Sequence, residues 1–411
     1  MNKKPLFASM CGLAMMLSGV ANAQDSDSKA SHSLSDGYVK VGVIDDMSGT
    51  YKTVAGPGDT LAAQMAIDDF GGSVLGQPIQ LASADHQNKA EVASSIARRW
   101  IDRDGVDMIT GMANSATGLA VQNLASNKKT ITINTGSGTS ELTESQCTKY
   151  GVHYGYDTHA LSAGTAAAIV KDGGDTWFFL TADYVFGHSL QSDATNIIES
   201  LDGTVLGSVA APLSTNDFAS YLIQAQSSGA KVIGLANAGA DTVNSIKQAQ
   251  EFNITANQRL AGLLVFITDV KALGLETAQG LEFTTAFYRD RTDASREWSQ
   301  RFFEKHGAMP TFVQAATYSA VLTYLKAIKE AGTDDADAVR KVLGDMTIDD
   351  MFVSDGHIAP NGQLRNDMYL MRVKTPAQSS GPWDLLDVVS TVPAEQAYVP
   401  LSESACTLLE Q

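Results

Sequence analysis

The chain is short of bases, of cysteine and of long apolar runs, and each shortage excludes something. Lysine and arginine number 29 against 46 acids, for a formal net charge of −17. A surface this acidic repels nucleic acid and anionic lipid headgroups. Beyond residue 23 no apolar run reaches the length of a membrane span, so no stable membrane insertion is expected. His86, His153, His159, His188, His306 and His357 pair with no Cys or acid at a recognised zinc spacing. His153 and His159 read instead as packing or hydrogen-bonding groups. No Gly-x-Ser-x-Gly elbow, Walker loop or His-Glu-x-x-His pair is present. No cofactor, metal or catalytic constellation is expected, and an enzyme is disfavoured.

What is there suits a large folded chain. Its 411 residues exceed what a single core usually holds, and 44% hydrophobic with 18% charged residues is globular composition. The start is an export signal: basic Asn2-Lys3-Lys4, apolar Leu6 to Val20, then the small-x-small site Ala21-Asn22-Ala23. Cys11 lies inside the apolar stretch behind Met10, too large a neighbour for a lipidated cysteine. Residues 1–23 are therefore expected to be cleaved and 24–37 to form a polar leader. Loss of Lys3 and Lys4 takes the formal charge from −17 to −19, and the mature chain belongs in the periplasm. Two cysteines remain, Cys147 and Cys406, and an oxidising compartment makes a disulfide between them the default. The alternative is two separate buried thiols.

The informative stretch runs from Asp107 to Thr143. Two apolar runs, 106–110 and 131–133, each open into small polar residues, 111–117 and 136–140, before a helical segment. In a parallel α/β sheet such loops converge at the carboxyl ends of the strands, where free helix N–H groups suit an anion or polar ligand head. Small residues can also serve only to turn the chain, but two such loops in adjacent units favour a site. A third loop, Asp45 to Gly58, follows a valine-rich strand. Asp45 and Asp46 at its start could be read as an acid pair for hydrolysis. Successive strand residues face opposite ways, so turn formation is preferred, and Asp59 or Thr60 is expected to cap the next helix.

Strand and helix patterns alternate to about residue 157, pause, and resume through Leu281 to Ala286. Helices follow at 294–306, 313–331 and 336–344, then hairpin signals at Asp355-Gly356 and Asn361-Gly362. The expected fold is α/β, with two doubly wound lobes joined by several crossovers: 38–157 plus 288–346, and 158–287 plus 347–392, with a tail at 393–411. A cleft between lobes that can close is a common ligand site.

These residues resemble a known family. VKVGVIDDMSGTY from Val39, DHQNKAEVA from Asp85, the loops GMANSAT and NTGSGTSELT, and DYVFG from Asp183 are similar to the periplasmic binding proteins of ABC transporters with the type I, leucine/isoleucine/valine-binding fold. DHQNKA and the ending PLSESAC look most like members that take up aromatic or small organic acids. The resemblance implies a Venus-flytrap receptor, expected as a monomer, that hands a small molecule to an ABC permease. It implies that Asn114 and Ser115, with Thr117, and Ser137, Gly138 and Thr139 grip a ligand carboxylate. Ser48 and Tyr51 would form another wall, and Tyr184, Asn237 and Phe266 would close from the second lobe. Amino-acid binders of this family hold the ligand ammonium with a second-lobe acid, but 261–266 here reads Ala-Gly-Leu-Leu-Val-Phe. A buried ammonium without a carboxylate is costly, so the expected ligand is a small carboxylic acid with an apolar, aromatic body. The alternatives are a branched-chain amino acid or an amide, or a sensing subunit of a membrane receptor.

Overall fold

The structure is a computed structural model that describes residues 34–410. The expected export signal, with its cleavage site, lies outside the described residues.

The valine-rich opening forms β1 (Val39–Asp45), followed by α1 (Gly56–Phe70), β2 (Ser73–Val74), β3 (Gln77–Asp85), α2 (Ala90–Arg103), β4 (Met108–Gly111), α3 (Ser115–Ser126), β5 (Ile131–Asn134) and β6 (Gly151–His153). They build a sheet of order β2-β3-β1-β4-β5-β6, parallel except for the β2–β3 pair. Helices cover both faces, so β4 and β5 are buried at every residue and read as continuous apolar runs. The order reverses between β3 and β4 around β1, which opens a crevice at the carboxyl ends of β1 and β4.

The chain then enters α4 (Thr158–Lys171), β7 (Thr176–Ala182), α5 (Val185–Ser200), β8 (Thr204–Ala211), α6 (Ala219–Ser227), β9 (Val232–Ala236), α7 (Ala240–Glu251) and β10 (Arg259–Gly262). Here the parallel order is β10-β9-β7-β8, with a second switch point between β7 and β9. The apolar run from Leu260 to Ile267 is a strand only as far as Gly262. Asp269 stops it: its Oδ2 accepts the Phe266 N–H at 3.0 Å and so starts α8 (Ile267–Leu273).

After α9 (Leu275–Ala278) and β11 (Glu282–Thr285) come α10 (Asp293–His306), α11 (Phe312–Ala331) and α12 (Ala336–Asp345). These return to the first sheet's layer. α11 lies along α1, with Thr311 Oγ1 donating to the Val54 carbonyl at 2.6 Å and Tyr318 Oη to Asp69 at 2.7 Å. The following segment was expected to cross back at 346, yet it stays with this layer. Between β12 (His357–Ile358) and β13 (Leu364–Arg365) the Gly362 carbonyl accepts the His153 N–H at 2.9 Å. The return comes after Asn366, where β14 (Met368–Val373) and β15 (Leu386–Val392) extend β11 into an antiparallel sheet of order β11-β14-β15. Cys147 and Cys406 are joined, as expected, and tie the tail to the segment between β5 and β6.

Packing at β1 leaves no slack. A Cβ on Gly42 would lie 2.5 Å from the Trp100 ring of α2 and 3.1 Å from Val106. Overpacking a central strand typically costs about 1–3 kcal/mol, so Gly42→Ala should lower the urea midpoint accordingly. An unchanged midpoint would mean that α2 can shift freely.

Candidate functional site

The carboxyl ends of the two parallel sheets face each other, and their loops bond across the gap. Thr50 Oγ1 lies 2.6 Å from Ser214 Oγ, and the hydroxyls of Tyr51 and Tyr184 are 2.5 Å apart. Thr139 donates to Ser189 at 3.0 Å, and Ser140 to Asp193 at 3.0 Å. Behind this seam lies a small cavity. From the first sheet's loops come Tyr51, Val54, Ala113, Asn114, Ser115, Gly136 and Gly138. The second side gives Tyr184, Phe186, Ala238, Leu264 and Phe266, while Tyr156 comes from the crossover and Val313 from α11. The aromatic wall is continuous: Phe266 stacks on Phe312 at 5.0 Å between centroids, and Tyr156 meets the same ring edge-on at 4.8 Å.

Of the residues expected at the ligand, Tyr51, Asn114, Ser115, Gly138, Tyr184 and Phe266 are brought together here. Ser48, Ser137, Thr139 and Asn237 are not among the lining residues, and their hydroxyls or amides are engaged elsewhere. Ser48 donates to Asp85 at 2.7 Å. Ser137 Oγ donates to the Met112 carbonyl at 2.5 Å and accepts from Asn134 Nδ2 at 3.2 Å. Asn237 joins Thr242 and Ser245 beneath the loop, leaving Ala238 to face the cavity. Val54, Tyr156, Phe186, Leu264 and Val313 escaped sequence reading because an apolar residue facing a cavity looks like core.

A census of polar groups describes what the cavity can hold. Asn114 is committed: its Oδ1 caps α3 by accepting from Ala116 and Thr117. Ser115 Oγ accepts the N–H groups of Gly138 at 3.3 Å and Thr139 at 3.2 Å, while its own O–H donates to no acceptor among the described residues. The Ser115 N–H, first in α3, is one of the helix's orphan donors. Tyr156 donates to the Gly136 carbonyl at 2.8 Å. The Tyr51–Tyr184 pair holds two O–H groups and makes one bond between them, so one donor is left over. Burial pushes both phenols above their ordinary pKa, which keeps them protonated. Among the described residues no acidic or basic side chain lines the cavity.

Other polar groups nearby serve structure. His153 Nε2 lies 2.7 Å from the Ser137 carbonyl, and burial lowers its pKa to about 4, so the neutral ring donates there. His159 Nδ1 bonds the Ala397 carbonyl at 2.9 Å. No cluster of three potential metal ligands occurs among the described residues. No helix among them is long and apolar enough to cross a membrane.

The comparisons agree with this geometry. A family described as periplasmic binding protein matches residues 38–381. No curated protein matches. A periplasmic binding protein from Burkholderia mallei is 52% identical, covering 90% of this chain and 99% of its own, with a TM-score of 0.89. A branched-chain amino acid ABC transporter periplasmic ligand-binding protein from Burkholderia xenovorans is 41% identical over 90% of this chain and 100% of its own, at TM-score 0.81. A solute-binding protein of an ABC transporter from R. palustris, in complex with benzoate, shares the fold at TM-score 0.80 but only 17% identity, covering 90% of this chain and 100% of its own. Two facing parallel sheets, a cavity between them and these matches place the chain in the periplasmic binding protein family, as a substrate-binding protein of the ABC-transporter type and not an enzyme.

Proposed function

We propose that the protein captures a small carboxylic acid with an aromatic body and delivers it to an ABC permease. The observation that carries this reading is the cavity's imbalance of polar groups. Ser115 offers an O–H and an N–H, and one phenol O–H is spare, while no carboxylate lines the wall to receive an ammonium. A carboxylate head supplies acceptors for these donors; an α-amino group would be buried unpaired. The remaining wall, with Phe186, Phe266 and Tyr156, suits a flat ring. Export through the signal at residues 1–23 would bring this receptor to the periplasm. We take 38–157 with 288–366 as one lobe and 158–287 with 367–392 as the other, the crossovers between them acting as the hinge.

A thermal-shift panel tests the reading, because a ligand that binds only the folded state raises the melting temperature. Benzoate-type acids should stabilise the protein most, straight-chain acids less, and the matching neutral amides less again. The name of the 41%-identical relative motivates the second reading, a branched-chain amino acid. Stabilisation by leucine or valine with none from aromatic acids would establish that reading and overturn ours.

A further inference from the structure

Beneath the cavity floor, where β1 ends, two carboxyl groups are buried side by side. Asp45 closes β1 and Asp59 lies in the first turn of α1; both are wholly buried. Asp45 Oδ1 accepts the N–H groups of Asp46 and Ala113, each at 3.0 Å. Ala113 lines the cavity and leads directly into Asn114 and Ser115. Asp45 Oδ2 and both Asp59 oxygens take no hydrogen bond from a donor of the described residues. The two side chains are within hydrogen-bonding reach of each other.

The neighbours supply no compensating cation. His86 faces the pair with Nε2 at 4.0 Å from Asp45 Oδ1. Its Nδ1 accepts the Asn88 N–H at 3.0 Å and burial lowers its pKa to about 4, so the ring is neutral with its proton on Nε2. Thr317 of α11 stands beside Asp59 and lies 2.8 Å from the Thr135 hydroxyl, a pair in which either can donate. Tyr156, also facing the pair, donates to Gly136. Asp46 lies next to Asp45 and takes its own donors from Gly49, Tyr51 and Asn88, while Asp85 of β3 is held by Ser48. Two bare carboxylates in such a place would repel strongly; one proton between them replaces the repulsion with a hydrogen bond.

We propose that Asp45 and Asp59 share a single proton at neutral pH and that capture of an anionic ligand is linked to keeping it there. This rests on the anionic-head reading above. The ligand's charge would sit on the loop that Asp45 holds, so a bound anion favours the protonated pair, and by reciprocity a pair that has lost its proton binds the anion less well. When binding occurs at a pH where the pair is partly ionised, a buffer acid gives up a proton, one carboxylate becomes a carboxylic acid, and the buffer is left as its base. Burial raises both groups, Asp45 to about 6 and Asp59 well above the ordinary carboxylate value. The folded state therefore keeps a proton that the unfolded chain releases near the ordinary carboxylate pKa. The stability this confers is complete below that ordinary value and is lost as pH rises through the folded one. Affinity for an anion falls in the same direction.

Calorimetry with benzoate in two buffers of different ionisation heat, on wild type and Asp59→Asn, tests this. Asparagine stays neutral at every pH and can donate its amide to Asp45. Wild type should take up part of a proton per ligand at about pH 8, and its Kd should rise several-fold from about pH 6 to about pH 8, full coupling being about tenfold per pH unit. Asp59→Asn should bind with no uptake and a flat Kd. Binding by wild type without uptake, or equal uptake by the variant, overturns the proposal. If benzoate does not bind at all, the ligand reading fails, and the pair is judged separately. Over the same pH range the melting temperature should fall more steeply for wild type than for Asp59→Asn, and parallel curves overturn it. If the variant does not fold, the infrared spectrum of wild type decides: a protonated-carboxyl stretch at neutral pH supports the shared proton, and its absence overturns it.

Discussion

Reduction of the Cys147–Cys406 bond should destabilise the processed protein by at most about 5–6 kcal/mol, the chain-entropy expectation for a very long loop. The bonded residues are 259 apart in sequence, so the unfolded chain loses much freedom when they are joined. The tail the bond secures is also well packed. Tyr398 is buried with its hydroxyl donating to Asn366 Oδ1 at 2.9 Å, and the Ala405 N–H reaches Glu144 at 2.7 Å. Those contacts survive reduction in part, which limits how far the tail departs from its seat. Urea midpoints with and without reductant measure the effect, and Cys406→Ser should reproduce the reduced value. Equal midpoints would show that the bond adds no stability.

Ser115→Ala should weaken ligand binding roughly tenfold to a hundredfold, the equivalent of the about 1.5–3 kcal/mol carried by a hydrogen bond to a charged group. Its hydroxyl has a proton free for the ligand, and its oxygen also positions the Gly138 and Thr139 N–H groups, so both losses act on the same ligand head. Ser137→Ala makes the contrast. Ser137 Oγ bonds Met112 and Asn134 inside the loop, so its removal leaves buried groups unpaired, at about 1–3 kcal/mol of stability. The melting temperature of that variant should fall more than its affinity. Titration of a benzoate-type acid into both variants checks the pair of outcomes; unchanged affinity in a folded Ser115→Ala would remove Ser115 from the ligand's contacts.

Much of the architecture was legible because its causes are local. Strands such as β4 and β5 are short apolar runs ended by small residues, and helices such as α11 begin at a cap, Thr311, that the chain displays openly. The pairing of Cys147 with Cys406 needed only the two cysteines left after processing and an oxidising compartment. The segment from 347 to 366 was misplaced because short strands and turns carry no sign of which sheet they will join. Its bond between His153 and Gly362 is a contact across some two hundred residues, visible only once both sheets exist.

The two loops at 111–117 and 136–140 pointed to the end of the sheet where the cavity lies, but not to the side chains that line it. In a loop of consecutive small polar residues, direction is set by which partners lie within reach. Asn134 and the Met112 carbonyl turn Ser137 inward, and Gly138 is left against the cavity. Asp59 shows the same limit. By sequence it reads as a helix cap, whereas in the folded chain it is sealed against Asp45, a partner that reaches it only through the packing of α1 on β1. Periodicity and turn chemistry act over a few residues, so the sequence by itself determined the order of strands, helices and loops. Which loop groups line the cavity, and which carboxyls meet each other, depends on contacts between distant segments, and only the tertiary structure decided them.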